Sequence, residues 1–197
     1  MTAIYLASRS PRRRELLLQM RVPHEVLELA ATDVDEPRLP GESPADYVVR
    51  TAREKAERGV TSVRERGLSP RPVLSADTTV ILGDEILGKP VDRDDAARML
   101  RRLSGTRHEV RTALALAVDD VVHEAVSITQ VQFRELSERD IERYCDSGEP
   151  YDKAGGYGIQ GLAGMFVERI EGSYTGVMGL PLFETARLLA HAGILLP

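Results

Sequence analysis

The chain has 197 residues, 42% of them apolar and 29% charged, with a formal net charge of −5. That length buries a sizeable core, the acidic balance argues against a general nucleic-acid binder, and no apolar run approaches the ~18 residues that cross a bilayer. The N-terminus carries no signal pattern, because arginines follow its short apolar stretch, and a single cysteine, Cys145, excludes an intramolecular disulfide and fits a reducing cytoplasm.

In chain order, Ile4-Tyr5-Leu6-Ala7 reads as a strand end. A short loop leads to a helix with Ser10 at its N-cap and Pro11 at its first position, where a missing N–H costs nothing. Leu16, Leu17 and Met20 give that helix its apolar face. Arg12-Arg13-Arg14 stand at the wrong end of it, since a helix start carries partial positive charge and disfavours each exposed cation by about 0.3–1 kcal/mol. Residues 25–34 predict a second strand, followed by the proline-rich loop "DVDEPRLPGESP". Ser43 predicts the cap of a helix from Pro44 to about Arg58, and a polar stretch follows at 59–71. "PVLSADTTVILGDEILGKP" has the pattern of a hairpin with a Gly-Asp-Glu turn.

A helix is expected from about Asp94 to Leu103, closed by Gly105, and then strands near 109–118 and 121–134. Ser137 caps a short helix ending at Gly148, with Asp140 placed for a box-like pairing. A glycine-rich loop spans 148–164, a strand 165–170, and Pro181 introduces a C-terminal helix. No internal repeat or low-complexity tract interrupts the order. The mixture of helices and hairpins predicts an α/β fold with a mixed, twisted sheet flanked by helices.

Several residues stand out chemically. Ser8 and Ser10 offer hydroxyls, the helix start offers N–H groups and the arginines offer planar forks, which together make an anion site of the helix-N-terminus kind. Asp77 in "LSADTTVIL" lies among apolar strand residues, where a carboxylate must be paired, metal-bound or catalytic. Glu36 is a second candidate carboxylate, although Asp33 and Asp35 beside it favour a plain loop acid. Of the 26 basic residues only Lys55, Lys89 and Lys153 are lysines, which marks places that need a compact ammonium. Lys89 sits on a rigid Gly-Lys-Pro turn, Lys55 on the long helix, and Lys153 at the start of "DKAGGYGIQG". The four histidines lack metal-ligand spacing, so a zinc site is not expected.

Six stretches, "LASRSPRRRELL", "DEPRLPGESPADYVVRTAREKA", "SADTTV", "GKPVDRDDAARMLRRLSGTRHEV", "GEPYDKAGGYGIQG" and "GSYTGVMGLPL", run in an order that resembles the Maf family of nucleoside triphosphate pyrophosphatases and covers nearly the whole chain. The resemblance implies one domain over 1–197, two lobes around a central cleft, in an elongated fold of the Maf and inosine triphosphate pyrophosphatase kind. It implies a cytoplasmic homodimer that hydrolyses a nucleoside triphosphate to monophosphate and pyrophosphate with Mg2+ or Mn2+, a house-cleaning activity on the nucleotide pool with no nucleic acid or membrane partner. Ser8, Arg13, Lys55 and Lys89 match phosphate-contacting positions, Glu36 a metal-linked acid, and Asp77 the catalytic base. Arg12, Thr78 and Gln160 match positions tied to base choice and look like the dTTP/UTP branch. A glutamine amide both donates and accepts, which suits O4 and N3–H of uracil or thymine.

Two departures stand in the last motif: Gly176 where asparagine is usual and Met178 where valine is, leaving the shape of that loop open. Two questions also stay open at this stage. Asp77 is either the base that takes a proton from water or a metal ligand. A nucleotide-sensing regulator of cell division or septum formation, without turnover, is the competing function.

Overall fold

The computed structural model describes residues 3–29, 37–194 and 196. Strand β1 (Ile4–Leu6) is short and fully buried, and helix α1 (Pro11–Gln19) follows it with Ser10 as N-cap and Pro11 at N1. Ser10 makes no side-chain cap bond; its own N–H donates to Ser8 Oγ instead, at 3.2 Å. Strand β2 covers only His24–Val26, and the rest of the strand expected over 25–34 runs into residues 30–36, outside the described residues.

Helix α2 spans Pro44–Glu65, about two turns beyond the expected end near Arg58. Its start is as expected: the Ser43 side chain accepts from the Asp46 N–H and Pro44 occupies N1. The extension follows from the buried stripe Val48, Thr51, Ala52, Ala56, Gly59 and Val63, which keeps helical spacing through a segment polar enough to look like a loop.

Strand β3 (Val73–Leu82) and β4 (Glu85–Leu87) form the hairpin, and β5 (Arg107–Val118) and β6 (Val121–Phe133) form a second. Between the hairpins lies α3 (Arg93–Leu103), capped by Asp92. After β6 come α4 (Glu138–Asp146), with the full reciprocal capping box between Ser137 and Asp140, and Cys145 buried in its last turn. The glycine-rich loop resolves into three short 3-10 turns within Glu149–Phe166. Strand β7 (Val167–Glu171), the five-residue α5 (Tyr174–Met178), which the sequence pattern does not announce, and α6 (Leu182–His191) complete the order. Among the described residues no helix is long and apolar enough to cross a membrane.

The seven strands make one mixed sheet in the order β2-β1-β3-β5-β6-β7, with β4 on β3. Side-chain alternation divides the core. One face packs Val73, Ala113, Ala115 and Ala117 under α2; the other packs Leu74, Ala76, Leu114 and Leu116 against α1 and α6. A third cluster joins Val80, Val110 and Phe133 to α3, α4 and the glycine-rich loop. The pairing of β3 decides where the site lies. Partners on β1 end at Leu74 and partners on β4 begin at Val80, while the opposite edge stays paired to β5 throughout. Among the described residues, 75–79 have no strand on that one side.

Small residues on β5 let α2 lie close, and Gly59 of α2 packs against Val73 of β3. A Cβ there would stand 2.6 Å from Val73 Cγ1. Alanine gains about 1 kcal/mol of helix propensity over glycine, but Val73 is β-branched and 1% exposed, so overpacking of about 1–3 kcal/mol wins. Gly59→Ala is expected to lower stability, read as a lower urea midpoint at unchanged slope.

His108 on β5 is buried against Phe133 and Tyr157, ring centroids 5.1 and 5.4 Å away in edge-on geometry. Its Nε2 lies 2.8 Å from the Tyr157 hydroxyl, which ties the glycine-rich loop to the sheet. Burial pushes its pKa down to about 4. The fold therefore holds it neutral, whereas the unfolded chain takes up a proton as pH falls below about 6.5. Stability present above that value is lost progressively between about pH 6.5 and 4, by about 3 kcal/mol for this group. Urea titrations at stepped pH should show that decline, and His108→Gln should flatten it.

Candidate active site

The unpaired stretch of β3 forms one wall of a cleft of about 640 Å³. The loop between β1 and α1, the Gly88-Lys89 turn, the glycine-rich loop and the α5–α6 junction line the rest. Ser8, Arg12, Arg13, Lys55, Asp77, Thr78, Lys89 and Gln160, which sequence position alone scatters over more than 150 residues, all face this one space. Glu36 lies outside the described residues.

Arg13 is the most constrained of them. Its Nε donates to the Gly179 carbonyl at 2.8 Å, Nη1 to Ser8 Oγ at 3.1 Å and Nη2 to Thr78 Oγ1 at 3.2 Å. Thr78 Oγ1 lies 2.9 Å from Thr112 Oγ1, which donates to the Gly176 carbonyl at 2.7 Å. The guanidinium is thus held by three segments at once, and the two hydroxyls extend the network into the core. Gly179 has φ +108°, and a Cβ there would crowd Thr78 Oγ1 at 3.3 Å and Arg13 Nε at 3.4 Å, so glycine is required on both counts. Burial lowers the Arg13 pKa to about 10, the negative charge of Asp77 opposing the shift and Arg12 adding to it. It remains cationic at neutral pH, and an anion in the cleft offsets the cost of its desolvation.

Asp77 projects toward α2, where Lys55 Nζ lies 2.6 Å from Oδ1. Both side chains are mostly sheltered, 12% and 16% exposed for Lys55 and Asp77. Lys55 therefore stands on the α2 face turned to the cleft and not on a solvated one, and the strand aspartate is paired as its surroundings demand. Thr78 occupies the neighbouring register position, so its side chain leaves β3 on the opposite face.

The sequence reading left three contributors out of its site: Arg9, Asp152 and Lys153 also line the cleft. Lys153 had a usable signal, being one of only three lysines. Arg9 and Asp152 had none, because a loop arginine and a loop aspartate are ordinary surface residues. With them the lining, among the described residues, carries six cations, Arg9, Arg12, Arg13, Lys55, Lys89 and Lys153, against two carboxylates, Asp77 and Asp152. The described lining thus has an excess of four formal positive charges in a chain of net charge −5.

Among the described residues no group of three or more His, Cys, Asp or Glu side chains could hold a metal ion. A hard cation of the magnesium kind needs only one or two carboxylates when phosphate oxygens and waters fill the rest of its shell. Among the described residues the donor set fits that mode, with Asp77 as a carboxylate on the cleft wall that could serve in it.

The sequence pattern described as Maf-like protein matches residues 3–192. A dTTP/UTP pyrophosphatase of Bordetella avium (strain 197N) is 63% identical over 195 residues, covering 98% of this chain and 97% of that protein. Another, of Chromobacterium violaceum, is 56% identical over 196 residues, covering 100% of this chain and 98% of that protein. Among solved structures, the Staphylococcus aureus Ham1 protein aligns over 69% of this chain and 72% of its own, with a TM-score of 0.42 and 13% identity. With a pattern match over almost its full length and relatives of this identity, the chain belongs to the Maf family.

Proposed function

We propose that the chain is a nucleoside triphosphate pyrophosphatase that converts dTTP and UTP to the monophosphate and pyrophosphate. The observation that carries this reading is a carboxylate, Asp77, set on the unpaired edge of β3 inside a cleft whose described lining is predominantly cationic. The positive lining suits a triphosphate. A site that only bound a polyanion would have little reason to place a carboxylate there unless it recruited a metal, and a regulator without turnover is not favoured. The names of the relatives support the same reaction and the same pyrimidine substrates.

In this reading water attacks the α-phosphorus, the new P–O bond forms as the α,β-bridging bond breaks, and the electron pair leaves with pyrophosphate. Asp77 takes the water's proton at its carboxylate, a contribution of about 10²–10⁴ in rate. Lys55, 2.6 Å from Asp77 Oδ1, orients that carboxylate. Asp77 would be the residue to hold a divalent cation, which when bound would supply charge neutralisation for the phosphate oxygens. Arg13, anchored by Ser8, Thr78 and Gly179, and the exposed Lys89 bind the phosphates from two sides, and positioned donors are worth most where water is excluded. Gln160 on the glycine-rich loop reads the base edge, with Arg12 and Thr78 as its companions. The enzyme works in the cytoplasm, in keeping with its one buried thiol, and as a homodimer.

Two experiments test this. A panel of nucleoside triphosphates with magnesium should yield pyrophosphate, with dTTP and UTP preferred; orthophosphate as the product would overturn the reaction class. In the same assay Asp77→Asn should lower kcat by about 10²–10⁴ with the far-ultraviolet circular dichroism unchanged. Separately, Gln160→Glu removes the donor face of the amide and should reduce kcat/KM for dTTP and UTP by about tenfold or more. Pyrimidine turnover untouched by that change would remove Gln160 from base reading.

A further inference from the structure

Gln160 lines the cleft, and among the described residues nothing in the protein bonds to its side-chain amide. The place of that amide is therefore set by the backbone that carries it. That backbone is a β-turn: the Gly161 N–H donates to the Gly158 carbonyl at 3.0 Å, with Ile159 and Gln160 between them. Ile159 is buried in the cluster that holds Phe133 and Tyr157, whereas Gln160 is exposed. One apolar side chain pins the middle of the turn.

Its two ends are held by Tyr144, on α4, and Glu149, at the head of the glycine-rich loop. On the entering side the Gly158 N–H donates to the Tyr144 hydroxyl at 3.1 Å. On the leaving side the Leu162 N–H donates to Glu149 Oε2 at 2.9 Å, and Ala163 N lies 3.5 Å from Oε1. The Tyr144 hydroxyl joins the two by donating to Glu149 Oε1 at 2.8 Å. Burial raises the Tyr144 pKa, the Gly158 N–H opposing the shift and the Glu149 carboxylate adding to it, so the phenol stays a donor. Tyr144 is buried on a helix with a full capping box, and its ring meets Phe166 edge-on at 5.2 Å. The carboxylate lies so close to the turn that a Cβ at Gly161 would stand 2.5 Å from Glu149 Cδ. Gly161 has φ −107°, so the carboxylate, and not a left-handed backbone, is what demands glycine there. Neither Tyr144 nor Glu149 is among the described residues that line the cleft.

We propose that Tyr144 and Glu149 are positioning residues for base selection: together they fix the 158–161 turn and so set the distance at which the Gln160 amide meets a base. Distance matters because amide chemistry alone does not separate the candidates. Guanine carries O6 beside N1–H, the same acceptor–donor pair as O4 and N3–H of thymine, but one fused ring farther from the sugar. An amide held at one place takes the pyrimidine edge and crowds the purine; an amide on a slack turn takes either. A carboxylate suits the task because it only accepts, offering two oxygens to three donors, whereas half of a glutamine amide would donate. Phosphate attraction falls off slowly with distance, so a small shift of this turn leaves the phosphate end of the cleft nearly untouched. The use of the turn in base selection rests on the reading of Gln160 given above, whereas the clamp on the turn does not.

Amide exchange reads the clamp without turnover: in Glu149→Gln, residues 157–163 should exchange about tenfold faster while β3 and β5 keep their protection. Steady-state rates read its purpose. The ratio of kcat/KM for dTTP to that for dGTP should fall by about threefold to thirtyfold, with calorimetric binding of inorganic pyrophosphate within about twofold of the unmodified protein. Tyr144→Phe, which keeps the ring against Phe166, should show the same pattern and covers the event that the first variant misfolds. In a Gln160→Ala background, Glu149→Gln should change the ratio no further, an outcome that a general loss of stability would not produce. Unchanged exchange or an unchanged ratio in both variants would overturn the proposal, as would pyrophosphate binding that falls in step with dTTP turnover. A dTTP preference untouched by Gln160→Ala, with faster exchange in the other two variants, would overturn Gln160 as the base reader and leave the clamp standing.

Discussion

The Arg13 guanidinium is the joint on which the cleft depends. Three planar donors reach Ser8 in the first loop, Thr78 on the central strand and the Gly179 carbonyl between the last two helices. These segments are 165 or more residues apart at the extremes, and no apolar contact alone would fix their relative positions to hydrogen-bond precision. Only a rigid fork can satisfy three acceptors in different directions; an ammonium on a flexible stem would have to choose among them. Burial is unfavourable for that cation, as its lowered pKa records, so the joint is built in a form that an anionic ligand strengthens.

A second constraint comes from the sheet. β3 is paired along its whole length on the β5 side but changes partner on the other, from β1 to β4. A strand in the middle of a sheet cannot ordinarily admit a ligand, because its edge groups are committed. The change of partner opens a five-residue interval, and the alternation of side chains sends Asp77 to the α2 face and Thr78 to the opposite one. One short interval thereby supplies a carboxylate paired to Lys55 and a hydroxyl that holds Arg13. The carboxylate and the hydroxyl occupy neighbouring positions on opposite faces because adjacent strand residues point apart.

Much of this architecture was legible in the sequence wherever local chemistry decides it. The Ser43-Pro44 and Ser137 helix starts and both hairpins follow from capping, turn residues and β-branched runs. The end of α2 did not, because residues beyond Arg58 are polar and only the spacing of Gly59 and Val63 against the sheet keeps them helical. The five residues of α5 are too few to show a period, and Gly176 and Met178 give no helical signal; tertiary contacts, including the Thr112 bond to the Gly176 carbonyl, make the turn. In the site, residue types unusual for their setting, such as Asp77 in a strand or lysines in an arginine-rich chain, could be picked out. Residues ordinary for their setting, Arg9 and Asp152, become notable only when folding brings them to one cleft.

The three arginines at the start of α1 show how a local penalty is resolved by tertiary structure. As a free helix this segment would be disfavoured, since no acidic residue occupies its first turn and Ser10 contributes no side-chain cap. Successive helical residues point about 100° apart, so the three charges cannot share one environment. Arg13 turns inward onto neutral acceptors, Arg12 reaches across to Asp152, and Arg14 faces solvent. The macrodipole and two of the cations then face the same cleft from one side, while Lys55, Lys89 and Lys153 face it from others. What is unfavourable within nine residues of helix becomes, across the molecule, a concentration of positive potential that an acidic protein could not otherwise present.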